Sequence, residues 1–422
     1  MTIQQTQADP RALILRYRTF LNGLIWLTVA VSSLTFLEPS PYDFLLLLLC
    51  ATWFFSGFRV HRAIVPAALF YFLHILAGYF ALVPYFSDVD SATYYYYSIY
   101  MLIALIVFSI LFSEDTDRRT DMLLQGYVMA AFAASIFAII GYFDIWGTAE
   151  KFAPAGRAMG PFKDPNVYGS FIIPAHLYLL RRLLAGASKS FGGALLAVAQ
   201  LLTILLGLLL TFSRGSWAAT IFATVMMVAM MFATTRSGGE RRRILLVFWI
   251  MVGLAGAGLA VALSSEQISD MFTKRSTVAQ DYDSGETGRF GNQRRSIPML
   301  VDLPNGMGPL VFRKYFGIEP HNSYVSAFAN FGWLGGFAFI LWVGSSCFVG
   351  FRLCATDSPY QGKAQVLFPP VFVYFLQALQ IDIDHWRFVY LVLGALWGLE
   401  AARQKWAARQ APRRALAAIA SR

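Results

Sequence analysis

Residues 191–233 read FGGALLAVAQLLTILLGLLLTFSRGSWAATIFATVMMVAMMFA. Arg214 is the one charged residue in the stretch, which is about twice the roughly 20 residues that one helix needs to cross a hydrocarbon core. A single crossing is excluded, so two spans must meet at Ser213-Arg214-Gly215, where the small residues permit a tight turn. An arginine inside so apolar a stretch is costly unless it reaches a water-filled cavity, an anion or the headgroups. The turn therefore marks a membrane face, and the chain is read outward from it.

Ten further apolar runs accompany this pair in a chain that is 57% hydrophobic and 14% charged. The composition excludes a soluble globule. The expected fold is all-α and polytopic, with about twelve transmembrane helices. The first six cover Phe20–Leu37, Tyr42–Phe58, Ile64–Val83, Tyr95–Phe112, Met122–Phe143 and Val167–Leu184. The next six cover Phe191–Phe212, Gly215–Ala233, Ile244–Leu263, Ser323–Gly350, Val366–Ile381 and Phe388–Ala402, the tenth with either a plain or a kinked start at its glycines. Cys50, Cys347 and Cys354 lie in or beside apolar segments without paired spacing, which supports neither a disulfide framework nor a zinc site.

Basic residues in alternate connections fix the expected orientation. One side carries 22 Lys and Arg, whereas short loops on the other hold Lys151, Arg157, Lys163, Arg214 and Arg387. The net charge of +10 is thus read as topology and not as nucleic-acid binding. The expected organisation is a cytoplasmic tail (1–19), nine helices (20–263), a long outward loop (264–321), three helices (322–402) and a basic cytoplasmic tail (403–422). The N-terminal stretch lacks a short apolar region followed by a small-residue cleavage site, so the first span is expected to remain uncleaved.

Several polar residues stand out on the outward side. Tyr94 to Tyr97 follow an acidic loop and are read as an interfacial belt. The loop before the sixth span carries Arg157 and Lys163, placed to meet an anion, while Asp164 or Asn166 either caps the helix that follows or contacts substrate. Arg214 opens the eighth helix, whose backbone N–H groups also favour anions. In the long loop Ile297, Leu300, Val301 and Leu303 read as a stripe on the membrane surface, provided Pro298 falls in a first helical turn. His321 lies where that loop re-enters apolar sequence, with Asn322 or Ser323 able to cap the next helix. His74 and His176, inside spans, read as interior histidines, and Asp382 and Asp384 in IDIDHWR as a solvated turn by default, with offsetting Arg387 or His385, or facing the basic site, as the alternatives.

Four motifs give the chain a family resemblance. His321-Asn322 is followed by nine residues and then Gly332-x-x-Gly335, the signature spacing of the O-antigen ligase family, which this chain resembles. Ser213-Arg214-Gly215, Gly160-Pro-Phe-Lys-Asp-Pro-Asn166-x-x-Gly169, and Gly288-Arg289 with Gly306-Met-Gly308 are similar to family segments at corresponding places. An Arg-x-x-x-Leu signature often seen in ligases is missing beside the outward arginines. The resemblance implies a metal-independent, inverting membrane glycosyltransferase without a cofactor. It implies His321 as the base and Arg214, Arg289, Arg157, Lys163, Asn322 and Arg295 as substrate-binding residues. The implied donor is an undecaprenyl-pyrophosphate-linked glycan, and the implied acceptor is lipid A–core or a growing glycan. The implied setting is the bacterial inner membrane with a periplasmic site. A polymerase on the same scaffold is the alternative. A two-halved transporter fits less well, because the long loop follows the ninth span and faces outward.

Overall fold

The computed structural model describes residues 10–420, apart from positions 56, 58, 188–189, 277–284 and 286–287. Residues 1–9 and 421–422, which belong to the tails expected on the cytoplasmic side, lie outside the described residues, as does Lys189. The described residues form helices and no strand. In order these are α1 (Pro10–Ala30), α2 (Pro41–Phe55), α3 (Val65–Leu82), α4 (Val89–Phe112), α5 (Thr116–Tyr142) and a single turn α6 (Ala149–Phe152). Next come α7 (Pro165–Phe171), α8 (Ile173–Leu184), α9 (Phe191–Leu210), α10 (Arg214–Thr234), α11 (Gly238–Leu263) and α12 (Glu266–Ser276). The chain closes with α13 (Arg289–Val301), α14 (Phe312–Phe316), α15 (Ser323–Ala355), α16 (Gln361–Gln377) and α17 (Arg387–Ala420).

Seven described segments are long and apolar enough to cross a membrane: Val65–Tyr85, Val89–Phe112, Thr116–Tyr142, α9, α10, α11 and α15. This is a polytopic membrane protein. The other five expected spans coincide with α1, α2, the α7–α8 pair, α16 and α17. α1 stops at Ala30, short of the expected Leu37, because the chain turns there and Ser40 Oγ donates back to Leu34 O (2.7 Å). The sixth span is likewise not one helix. Pro174 lacks the N–H that would bond Ser170 O, and the Tyr374 hydroxyl of α16 donates to that carbonyl instead (3.2 Å).

The turn between α9 and α10 falls where the charge placed it, but its mechanics differ from the expectation. Phe212, and not Gly215, takes the left-handed conformation (φ 47°), and Ser213 caps α10 by accepting from Ser216 N at 3.2 Å. The tyrosine belt also divides. Tyr94 and Tyr95 turn into the protein, while Tyr96 and Tyr97 stay exposed.

α3 packs along α15 and α4 along α17. α15 is broken at Gly332 (φ 66°, ψ −167°), which makes the kinked start the correct one of the two readings. The break frees backbone groups that the 304–308 turn satisfies. Met307 N donates to Ala329 O (2.6 Å), and Trp333 N donates to Pro304 O (2.9 Å). A Cβ on Gly306 would stand 2.6 Å from Gly332 N, and one on Gly332 would stand 2.3 Å from Pro304 O. Gly306-x-Gly308 and Gly332-x-x-Gly335 thus form the two halves of one clasp. Gly335 lets α3 approach closely, since a Cβ there would lie 3.4 Å from Ala77 of α3.

Gly332→Ala should therefore destabilise by more than the about 1–3 kcal/mol of a strained backbone alone, seen as a lower thermal midpoint in detergent. Gly344→Ala, with nothing within 4 Å, is the matched control in the same helix. Equal midpoints for the two would dissolve the clasp.

Candidate functional site

His321 lies directly before α15 in a left-handed conformation (φ 49°), with its side chain 44% exposed. Asn322 is the N-cap, its side-chain oxygen accepting from Tyr324 N (3.1 Å) and Val325 N (3.2 Å). The connection between α16 and α17 folds over this helix start. Asp382 Oδ2 accepts from His321 N (3.1 Å), and Oδ1 accepts from Asn322 N (3.1 Å) and Ser326 Oγ (2.7 Å). A carboxylate at a helix N-terminus is favoured by the unpaired N–H groups and the helix dipole. The same Oδ2 stands 3.6 Å from His321 Nδ1, an electrostatic contact longer than a hydrogen bond. It favours the tautomer protonated at Nδ1, which makes Nε2 the basic nitrogen.

This corrects the reading of IDIDHWR as a solvated turn. Asp384 accepts from the Tyr94 hydroxyl and from Ser323 Oγ (3.3 Å), and Asn330 Nδ2 donates to Tyr94 Oη (3.2 Å). His385 Nε2 meets Ser98 Oγ at 3.1 Å. A small pocket, about the size of one water molecule, lies among Tyr94, Ser323, Ser326, Asn330, Asp384 and His74, with Phe331 and Phe339 on its apolar side. His74 is bonded through Nδ1 to Gly335 O (2.8 Å), as suits an interior histidine, and His176 Nε2 meets Thr224 Oγ1 at 2.9 Å.

Burial, then the charge of Asp384, pushes the Asp382 carboxyl well above the ordinary carboxylate range. Burial also raises Glu319 to about 6, against the lowering effect of Arg313 at 3.8 Å. Burial lowers His385. The surroundings of His321 are thus rich in carboxylates and partly desolvated.

α13 locks the loops on both sides of the histidine. Arg289 Nη1 donates to Gln380 O (2.7 Å), and Gln293 Nε2 donates to Pro320 O (2.8 Å). Asn322 Nδ2 completes the tie by donating to Leu379 O (3.1 Å). Arg295 sits on the outer side of α13, donating to Asn292 Oδ1 (2.5 Å) with its guanidinium 5.6 Å from the Phe316 ring centre. Pro298 lies near the end of α13 and not in its first turn. Leu300 turns inward to Met307, Val311 and Phe312, with Leu303 packed against that cluster, whereas Ile297 and Val301 remain exposed.

A second polar group forms at the start of α10. Arg157 Nε donates to Thr211 O (3.0 Å), and its Nη2 approaches Asn166 Oδ1 (3.5 Å). Ser213 Oγ donates to the same Asn166 oxygen (2.7 Å), one residue before the half-buried Arg214. Asp164 is the cap of α7, accepting from Asn166 N (2.6 Å), so the Asn166 side chain is left to meet Arg157 and Ser213. Lys163 stands apart on the exposed rim, ion-paired with Glu38.

Packing shows how the two groups relate. α10 lies along α16, and Gln365 Nε2 donates to Thr234 Oγ1 (2.9 Å), joining the end of one helix to the beginning of the other. At about 1.5 Å per residue, Arg214 stands about 30 Å back along α10 from that bond. α16 runs antiparallel to α10, from that bond back toward the loop that holds Asp382. The Arg157–Arg214 and His321–Asp382 groups therefore occupy one end of the bundle. Sequence reasoning missed Ser326 and Tyr94 and set a solvated turn ahead of a place at the site for Asp382 and Asp384; the signal was a pair of acids beside a histidine in so apolar a chain.

Among known proteins, no curated sequence matches the chain. The family model described as O-Antigen ligase matches residues 199–340, from within α9 to within α15. That region holds Arg214, Arg289, Arg295, His321 and Asn322, and leaves Arg157, Lys163, Asp382 and Asp384 outside it. The match is consistent with the O-antigen ligase family and supports a membrane glycosyltransferase of the ligase or polymerase type.

Proposed function

We propose that the protein is a ligase-type glycosyltransferase of the bacterial inner membrane, with both termini cytoplasmic. It moves a saccharide from undecaprenyl pyrophosphate to a periplasmic acceptor such as lipid A–core. The observation that carries this reading is His321 held beside Asp382 at the bundle end that also holds Arg214, Arg157 and Arg289.

In the reaction, His321 Nε2 takes the proton of an acceptor hydroxyl as its oxygen attacks the anomeric carbon. The bond from that carbon to the pyrophosphate oxygen breaks, and the configuration inverts. Charge growing on undecaprenyl pyrophosphate is met by guanidinium groups, which stay ionised and bind phosphate oxygens through two parallel bonds. Arg214, Arg157 and Arg289 take this role, with Lys163 and Arg295 nearer the rim where the glycan leaves the surface. Asn322 holds the helix start that carries the base.

A pH profile follows from Asp382. Its carboxyl is raised above the ordinary range, so its proton persists upward in pH, and transfer that needs the carboxylate fades as pH falls through the raised value. Asp384→Asn removes the neighbouring charge and should carry the acid limb of kcat/KM to lower pH. A limb that stays put or moves up would separate Asp382 from the chemistry.

The functional test is removal of the gene followed by analysis of surface glycan and lipid-linked intermediates. Ligase action predicts core lipid without long glycan and a store of full-length lipid-linked glycan. A store of single repeat units would show a polymerase, and unchanged glycans would end the proposal.

A further inference from the structure

The face of α13 about a quarter-turn from the one that binds the site loops presents Phe290, Arg294, Ile297 and Val301. At 3.6 residues per turn these four fall within an arc of about 60°. The three apolar members are 49%, 54% and 61% exposed, and Arg294 is exposed among them. The face beside it is fixed, with Asn292, Gln293, Ser296 and Leu300 all buried. The helix therefore has no freedom to roll this stripe inward.

The surroundings say what covers it. Trp333 Nε1 donates to Leu300 O (2.9 Å), tying the end of α13 to α15 just past the Gly332 break. There Trp333, Leu334, Phe337 and Leu341 are exposed on a helix that crosses the membrane, a side that only lipid tails would cover. The stripe of α13 continues this lipid-facing surface at its outer margin. An arginine amid apolar side chains suits that depth, since its stem packs on acyl chains while its guanidinium reaches the phosphate level.

We propose that the Phe290–Arg294–Ile297–Val301 stripe rests on the outer leaflet of the protein's own membrane, with Arg294 on the phosphate of a phospholipid. α13 then fixes the height of the Gln380 and Pro320 carbonyls that it binds on either side of His321. Under the transfer reading this sets the histidine level with lipid-linked phosphates; the docking to a leaflet does not depend on that reading, and only the naming of that leaflet as the outer one rests on the orientation proposed above.

The test uses the full chain in phosphatidylethanolamine–phosphatidylglycerol nanodiscs, with Cys50, Cys347 and Cys354 replaced by Ala. A nitroxide is attached at Ile297→Cys, at Val301→Cys or at Met299→Cys, the last on the other side of α13. Collision with oxygen, which concentrates in lipid, is compared with collision with a water-soluble nickel chelate. Positions 297 and 301 should show an oxygen-to-nickel ratio several-fold above that at 299, and Arg294→Glu should raise nickel access at 297. Nickel access at 297 and 301 equal to that at 299 would overturn the proposal. So would protection from both probes, which would mean that a second copy covers the stripe. Unchanged access in Arg294→Glu would overturn the phosphate contact.

Discussion

His321→Ala is expected to lower glycosyl transfer by about 10²–10⁴, the usual contribution of a positioned base, while leaving the protein folded and able to bind donor lipid. The fold should survive because the ring does not hold α15 in place. Asn322 caps the helix through its side chain, and Asp382 accepts main-chain N–H groups that Ala retains. The left-handed backbone at position 321 (φ 49°) disfavours Ala somewhat, so His321→Asn is the better matched variant, since Asn tolerates that region. Both should lose transfer alike. Near-normal transfer by either, at equal protein in the membrane, would move the base elsewhere.

Arg214→Ala should cost on the order of 10²–10³ in rate, as expected when one donor to developing charge is lost. Arg214→Lys should be nearly as poor, because it keeps the charge but not the planar fork. The turn should persist in both, since Ser213 caps α10 and Phe212 makes the reversal. Binding of donor lipid and transfer should weaken together. Full activity in Arg214→Ala at normal expression would make it an anchor to headgroups.

How far the sequence could be read differs between elements, and the reasons are physical. The α9–α10 turn was legible because a charge in some forty apolar residues admits few solutions, although which residue takes the positive φ is a local detail. The division of the sixth span at Ile172 was written in Pro174, but its stability rests on Tyr374, two hundred residues later. His321 could be found from a local spacing. Asp382 could not be placed beside it, because nothing local says that the turn after α16 folds over the start of α15. The two glycine motifs were both visible, yet their joining at Gly332 is a contact between distant segments. The stripe on α13 was half right: the 3.6-residue period gave Ile297 and Val301 one face, but Leu300 belongs to the face that packs on Met307 and Phe312.

The most direct measurement is transfer by the purified full chain, given an undecaprenyl-pyrophosphate glycan and a lipid A–core acceptor. The account predicts glycan joined to the core lipid, release of undecaprenyl pyrophosphate and an inverted anomeric centre, all lost in His321→Ala. Lengthening of the lipid-linked glycan without the core lipid would reveal a polymerase. No new glycosidic bond with either acceptor would contradict the account.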